Sequence, residues 1–216
     1  MTTSSIAEPF EGVWKVASAT LPNGRFAYDG SIAIARQNDA YTLQWDISAG
    51  RYVGVGLRIS DETSDHLLVA CGEHYAGLGV GMFVPDEAHG GYTLRWTSSE
   101  LAGAVGAGRL APYEDTKGLD GVFQLIQRLP GGKLYGEWAL ATERDNAIYD
   151  VSWHRSRAMH WRGLGLQLAG GLGVSWYPDL AQLAFLDYTV TAAGDLTATW
   201  ALGGFNTLGS ETLVRT

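Results

Sequence analysis

The residues with the clearest chemical potential lie between Trp153 and Trp161, where the sequence reads WHRSRAMHW. The imidazoles of His154 and His160 could relay a proton near neutral pH, and Arg157 could hold the carboxylate or enolate of a ligand. Two histidines without a third ligand do not make a zinc site, so we predict no metal here. The alternative is a charged hairpin tip in solvent.

A second candidate group is a carboxylate near the end of the chain. In the segment LAFLD, strand alternation places Asp187 on the same face as Leu183 and Phe185. A carboxylate on an apolar face loses hydration, which raises its pKa and suits it to general acid or base catalysis. The alternative is that the strand ends before Asp187, whose side chain then points into water. We take His154, His160 and Asp187 as the candidate catalytic residues.

The common catalytic and cofactor motifs are missing from the sequence. It contains no Walker loop, Gly-x-Ser-x-Gly elbow, His-Glu-x-x-His motif or EF-hand loop, so we predict no cofactor. Cys71 is the single cysteine, which excludes an intramolecular disulfide and a thiolate zinc site, and its apolar run LLVAC predicts a buried, inert thiol. His66, His74 and His89 lie near predicted turns and are interpreted as solvated loop residues.

Composition limits the class of partner. The chain has 216 residues, of which 46% are hydrophobic, enough for a packed core. Its net charge is -8 and it has no run of Lys or Arg, which argues against a nucleic acid or an anionic membrane as partner. Residues 1–9 do not resemble a signal peptide and no apolar stretch is long enough to span a bilayer, so we predict a cytoplasmic protein.

The chain is a tandem duplication. The repeats cover residues 10–110 and 119–216, with 111–118 as a linker, and each repeat is predicted to form a β-barrel domain. One combined barrel made from both repeats is the alternative. Matching segments include YTLQW at 41–45 with YDVSW at 149–153, and GVGL at 54–57 with GLGL at 163–166.

Within each repeat the hydrophobic period is two, in short runs separated by turn signals such as Asn-Gly and Gly-Gly. We predict an all-β fold of about eight antiparallel strands per repeat, connected as an up-and-down meander. Closing the meander into a barrel hides its edges, and eight strands can enclose one ligand. In the first repeat the strands are expected near 11–20, 26–36, 40–46, 51–59, 67–72, 77–84, 91–97 and 103–110.

Glycine occupies one face of two predicted strands. Gly54 and Gly56 alternate with aliphatic residues in the first, and Gly77, Gly79 and Gly81 do so in the second. Glycine weakens a strand interior, so such a face indicates that something lies close against it. The candidates are an aromatic ring from a neighbouring strand, the backbone of the other repeat, or a ligand.

Aromatic residues recur at equivalent places in the two repeats. Trp45 and Tyr52 flank a hairpin tip in the first repeat, as Trp153 and Trp161 do in the second. These rings are either core residues or the lining of a cavity near one mouth of the barrel. With Tyr41 and with Arg157 at the mouth, they are the candidate ligand-binding residues.

The first and last strands resemble those of the lipocalin and avidin group of β-barrels, the calycins. Gly12-x-Trp14 opens the first strand and Arg215 ends the last, and in that group an arginine from the last strand packs near the tryptophan. The second repeat has Phe123 where the first has Trp14. The wider pattern of both repeats is similar to small uncharacterised bacterial β-domains, a resemblance that implies a fold and no activity.

Three functions are compatible with these observations. The first is binding of an apolar or aromatic small molecule in a barrel cavity lined by Trp and Tyr. The second is a cofactor-independent isomerase, cyclase or lyase that folds such a molecule into a reactive shape. The third is a non-catalytic module in which the flat glycine faces mediate association into a homo-oligomer.

Overall fold

The computed structural model of the chain describes residues 8–60, 65–113, 116, 118–156 and 158–216. These residues form sixteen β-strands and two 3-10 turns of three residues, Ser99–Leu101 and Leu180–Gln182, and no helix in the described ranges has the length and apolar character to cross a membrane. The strands are β1 Gly12–Thr20, β2 Gly30–Gln37, β3 Ala40–Ile47, β4 Gly50–Ser60, β5 Asp65–Gly72, β6 Gly79–Pro85, β7 Tyr92–Ser98, β8 Gly106–Pro112, β9 Gly121–Arg128, β10 Leu134–Asp145, β11 Ile148–Arg155, β12 Ala158–Leu168, β13 Gly171–Tyr177, β14 Ala184–Val190, β15 Leu196–Leu202 and β16 Gly209–Arg215.

The predicted all-β fold with eight strands per repeat is confirmed. β2 begins at Gly30 and not near residue 26, because the backbone turns before it, with Leu21 N donating to the carbonyl of Arg25 at 2.8 Å. His66 lies within β5 and not in a loop, so its interpretation as a loop residue is wrong. Of the predicted linker, Glu114, Asp115 and Lys117 lie outside the described residues, whereas its first two residues belong to β8.

The sixteen strands form two closed antiparallel barrels that exchange strands between the repeats. The first barrel has the order β1-β16-β15-β14-β5-β4-β3-β2, and the second has the order β10-β11-β12-β13-β6-β7-β8-β9. Each barrel therefore combines five strands of one repeat with three of the other. The prediction that residues 10–110 and 119–216 each form their own barrel is corrected on this point, and a single combined barrel is not formed.

A shared apolar interface explains why the chain passes from one barrel to the other after β5 and again after β13. Buried side chains on the outer faces of β4, β5 and β14 pack against those of β6, β11 and β12. Phe185 of the first barrel is fully buried there, against the backbone of Gly173 in the second. The buried residues of the interface are Val55, Leu57, Leu68, Ala70, Leu78, Val80, Met82, Ile148, Leu164, Leu166, Tyr177, Leu183, Phe185 and Ala201.

The glycine-lined strand faces are covered by side chains of the same chain. A Cβ at Gly54 would lie 2.8 Å from the Trp45 ring, and one at Gly79 would lie 2.0 Å from the Trp176 ring. These glycines are required because an indole from the neighbouring strand lies flat against the backbone. Of the three candidates for these faces, the aromatic ring is the one observed at both positions, and the face of Gly79 is thus not free to mediate association.

One end of the first barrel is closed by the segment that precedes β1. Phe10 is fully buried, and its carbonyl accepts a hydrogen bond from Trp14 Nε1 at 2.9 Å. Across the β1–β16 pair, the Arg215 guanidinium lies over the Trp14 indole, 4.7 Å from the ring centroid, within the range of a cation–π interaction. In the second barrel the pair equivalent to Trp14 and Arg215 is Phe123 and Pro112. This pair has no guanidinium to lie over an indole, so the two barrels close differently.

Charged groups hold this closing segment in place. Glu8 accepts hydrogen bonds from Tyr41 Oη at 2.9 Å and from Arg58 Nη1 at 2.7 Å, and it forms an ion pair with Arg36. Arg58 also forms a two-pronged contact with Asp65. Tyr41 is therefore committed to the closed end of the first barrel.

Candidate functional site

The predicted aromatic pairs face each other across the hairpins, as expected from the repeat. Trp45 is paired with Tyr52 between β3 and β4, and Trp153 with Trp161 between β11 and β12. Each pair lies at the end of its barrel where the β3–β4 or β11–β12 hairpin turns. This end of the first barrel and the equivalent end of the second differ in how much space they enclose.

In the second barrel this end is filled with aromatic rings. Trp176 packs against Trp153 and Trp96, with ring centroids 5.5 Å and 6.2 Å apart, respectively. The remaining space is about 20 Å³, close to the room needed by one water molecule. Trp153 and Trp161 thus border a packed barrel interior, and the space enclosed between the rings is too small for an organic ligand.

In the first barrel the equivalent end contains a cavity of about 180 Å³. Trp45, Cys71 and Trp200 lie deep in it and are buried, whereas Ala49 and Gln182 are exposed at its rim, so the cavity reaches the surface. Two of the predicted ligand-binding residues, Trp45 and Tyr52, belong to its lining. The lining residues are Leu21, Ala27, Tyr28, Trp45, Ile47, Ala49, Tyr52, Cys71, Gln182, Ala184, Leu186, Trp200 and Leu202.

The cavity exists because a cysteine stands where the second barrel has a tryptophan. Gly54 of β4 pairs with Cys71, and the equivalent Gly163 of β12 pairs with Trp176. Across the exchanged strands, Cys71 pairs with Ala184 and Trp176 with Gly79. The small thiol leaves open the volume that an indole occupies in the second barrel.

Burial makes Cys71 an apolar lining residue and not a nucleophile. The thiol is buried, and loss of hydration, together with the nearby charge of Glu211, raises its pKa above the usual range. The prediction of a buried thiol is confirmed. Its importance for the cavity was missed because the repeat was matched at its Tyr, Trp and Gly positions and not at LLVAC against LGVSW.

A buried carboxylate lies close to the cavity and was also missed in the sequence. Glu211 of β16 is 2% exposed and accepts hydrogen bonds from Tyr28 Oη at 2.6 Å and from Tyr188 Oη. Tyr28 lines the cavity and therefore connects it to the carboxylate. The available signal was the strand period of two, which places Glu211 on the same face as the buried Gly209 and Leu213.

Among the described residues, the second barrel has no counterpart to this carboxylate and its two phenols. Glu211 pairs with Ala198, and the equivalent pair in the second barrel is Gly108 with Leu94. Tyr188 pairs with Leu67, and the equivalent of Tyr188 is Phe83, which pairs with Leu172. A carboxylate and its hydroxyl partner are thus replaced by a glycine and a phenylalanine, so this buried carboxylate cluster is specific to the first barrel.

The burial of Glu211 raises the pKa of its carboxyl above the usual range, although the hydrogen bonds from Tyr188 and Tyr28 oppose this rise. The other titratable groups nearby are those two phenols and the Cys71 thiol. The pKa values of all three are raised, mainly by burial, so they stay neutral through the range in which Glu211 titrates. Glu211 is therefore the charge-changing group of this cluster.

E211Q should change how stability depends on pH. Because the folded pKa of Glu211 lies above that of the unfolded chain, its contribution to stability is complete below about pH 4.3 and decreases as the pH rises through the folded pKa. Glutamine does not titrate, so the free energy of unfolding of E211Q minus that of the wild type should increase as the pH rises above about 4.3. Urea unfolding at several pH values measures this difference; a constant or decreasing value would contradict the prediction.

The predicted catalytic residues have separate partners. Asp187 is buried on the outer face of β14, where His66 Nδ1 lies 2.8 Å from Asp187 Oδ1. Burial raises the pKa of this carboxyl, as the sequence predicts, while the hydrogen bond from His66 opposes the shift. His154 Nε2 contacts Ser152 Oγ at 2.8 Å. The structure does not bring His154 or His160 to Asp187.

The two histidines of the WHRSRAMHW hairpin, His154 and His160, are not paired with each other across the hairpin. A bulge shifts the register between β11 and β12, so that His154 pairs with Met159. His160 lies edge-on against Trp138, 5.6 Å between ring centroids. Arg157, predicted at the mouth, lies outside the described residues.

Metal binding receives no geometric support: within the described parts of the chain, no three His, Cys, Asp or Glu side chains are grouped as ligands. Comparison of the chain with known protein families, with characterised proteins and with solved structures gave no significant match. The functional interpretation therefore depends on the cavity and its polar cluster.

Proposed function

We propose that the first barrel binds a small apolar or aromatic molecule in the cavity between Trp45, Tyr52 and Trp200. The observation that carries this proposal is the lined space of about 180 Å³ at a position where the second barrel is filled by Trp176. A buried apolar cavity of about 150 Å³ is known to accept benzene, so the volume suits a molecule with one ring.

The lining supports an apolar ligand body. Aromatic rings and aliphatic side chains form most of the wall, and desolvating them against an apolar ligand is favourable. A ligand of this size gains limited binding energy, so we expect a dissociation constant between about 10 µM and 1 mM for a simple one-ring probe.

Addition of ethylbenzene should stabilise the wild-type protein. Because the folded state alone offers the cavity, ethylbenzene at a concentration equal to its dissociation constant should add about 0.4 kcal/mol to the free energy of unfolding, and more as the concentration rises. Denaturation with and without ethylbenzene, and calorimetric titration, measure this effect. Absence of binding, or equal binding by a variant whose cavity is blocked, would reject the proposal.

The same cavity would serve the second candidate function, a cofactor-independent isomerase, cyclase or lyase. The observation that favours it is the buried Glu211 with Tyr28 beside the cavity, which would supply the polar assistance first expected from His154, His160 and Asp187. Recovery of a chemically altered molecule after incubation would distinguish turnover from binding alone.

A relationship to the calycin barrels is part of this proposal. It is supported by Arg215, which packs over Trp14 between the last and first strands of the first barrel. A cytoplasmic location and a homo-oligomeric state stay predictions from the sequence.

A further inference from the structure

The polar end of the first-barrel cavity offers acceptors and few donors. The Tyr28 hydroxyl donates its proton to Glu211, and Tyr188 donates to the other carboxylate oxygen. Tyr52 Oη donates to the carbonyl of Ala49 at 3.3 Å. When Glu211 is ionised, what remains on Tyr28 Oη and on the carboxylate are lone pairs, which accept hydrogen bonds. A cationic ligand favours this ionised form, because a nearby positive charge lowers the pKa of a carboxyl.

Three further polar groups do not change this balance. The Cys71 thiol is a weak donor, and its burial keeps it in the protonated form. The indole nitrogen of Trp200 is covered on all sides and has no acceptor among the described residues, so its N–H does not face the open space. Gln182 lies at the exposed rim, away from the buried acid.

We propose that the ligand of the first barrel is a primary amine on an apolar or aromatic body, whose ammonium group donates to Tyr28 Oη and is neutralised by Glu211. This inference rests on the proposed function, since it assigns a ligand class to the same cavity. The ammonium, the phenol and the carboxylate would form one hydrogen-bonded chain, in which each bond polarises the next.

Electrostatics favours an amine over an acid or a carbonyl compound. A carboxylate ligand would meet Glu211 as a like charge in a buried site, and a carbonyl would find the Tyr28 proton already donated. The rings of Trp45, Tyr52 and Trp200 can present their negative faces to a cation entering the cavity. The net charge of -8 also favours a cationic ligand during approach.

The test compares three probes of similar size: benzylamine, ethylbenzene and benzoate. Benzylamine and ethylbenzene have nearly the same shape, so their difference reports the ammonium group. Calorimetric titration near neutral pH should give wild-type binding about tenfold tighter for benzylamine than for ethylbenzene, with benzoate weaker than both. In E211Q this preference should vanish, so that the ratio of benzylamine affinity to ethylbenzene affinity falls to about one.

Y28F is the second variant, because it keeps the ring in the lining and removes only the hydroxyl. It should lower the ratio of benzylamine affinity to ethylbenzene affinity, because only the ammonium group needs the hydroxyl, and this readout also protects the test if E211Q folds poorly. Ethylbenzene bound as well as or better than benzylamine by the wild type would overturn the amine inference and leave the proposed function standing. Failure of all three probes would overturn the proposed function, and a benzylamine preference that survives in E211Q would overturn the role of Glu211.

Discussion

Ligand binding by the first barrel is expected to be lost in the double variant C71W/A184G, while the protein stays folded. The substitution copies the pair found in the second barrel, where Trp176 lies against Gly79. The introduced indole would occupy the cavity of about 180 Å³ and remove the space for any probe. Calorimetric titration with benzylamine and ethylbenzene should give no measurable heat, and near-ultraviolet circular dichroism checks the fold.

The A184G substitution is necessary because Ala184 of β14 is paired with Cys71 of β5. A Cβ at Gly79 would lie 2.0 Å from the Trp176 ring, and Ala184 carries a Cβ at the equivalent place in the first barrel. C71W alone should therefore be overpacked and lose about 1–3 kcal/mol, which A184G should largely restore. C71A is the control, because it keeps the cavity open and should bind both probes. Binding retained in a folded C71W/A184G protein would show that the ligand lies elsewhere.

F185A should reduce the free energy of unfolding by about 3–5 kcal/mol. Phe185 is 0% exposed and lies between the barrels, where a Cβ on Gly173 would be 2.9 Å from its ring. Removing the ring would leave a void bounded by two rigid sheets that cannot easily close it. For a protein whose total stability is about 5–15 kcal/mol, this is a large fraction.

Urea unfolding followed by tryptophan fluorescence measures this effect. V13A is the matched control, because Val13 lies on an outer strand face, is 54% exposed and should change stability by less than about 0.5 kcal/mol. A loss of less than about 1 kcal/mol in F185A would mean that the interface contributes little and that each barrel is stable alone.

The strands and the repeat were predictable because their signals are local. Alternation with period two and glycine-containing turns specify each strand from its own residues. Membership of the barrels was not predictable in this way, since β6 and β14 occupy equivalent places in the repeats and either could pair with β5. The choice depends on the interface around Phe185, whose residues come from both repeats and are far apart in the sequence.

The site was predictable in part for the same reason. Trp45 and Tyr52 are recognisable from their type and from their place beside a hairpin tip. Cys71 was identified as buried, but its effect on the cavity becomes visible only when LLVAC is aligned with LGVSW, where Trp176 stands in the place of Cys71. Glu211 is conspicuous once its strand face is known to point inward, and its partner Tyr28 lies 183 residues away in the sequence.

The exchange of strands also determines the order in which the barrels can be completed during synthesis. The second barrel is one continuous segment from Gly79 to Tyr177, whereas the first needs β1 to β5 and then β14 to β16. As the chain leaves the ribosome, the edges of β1 and β5 stay unpaired until β14 to β16 have been made, and the second barrel can close during this interval. Trp200 and Glu211 arrive with the last strands, so the ligand site is the final part of the protein to form.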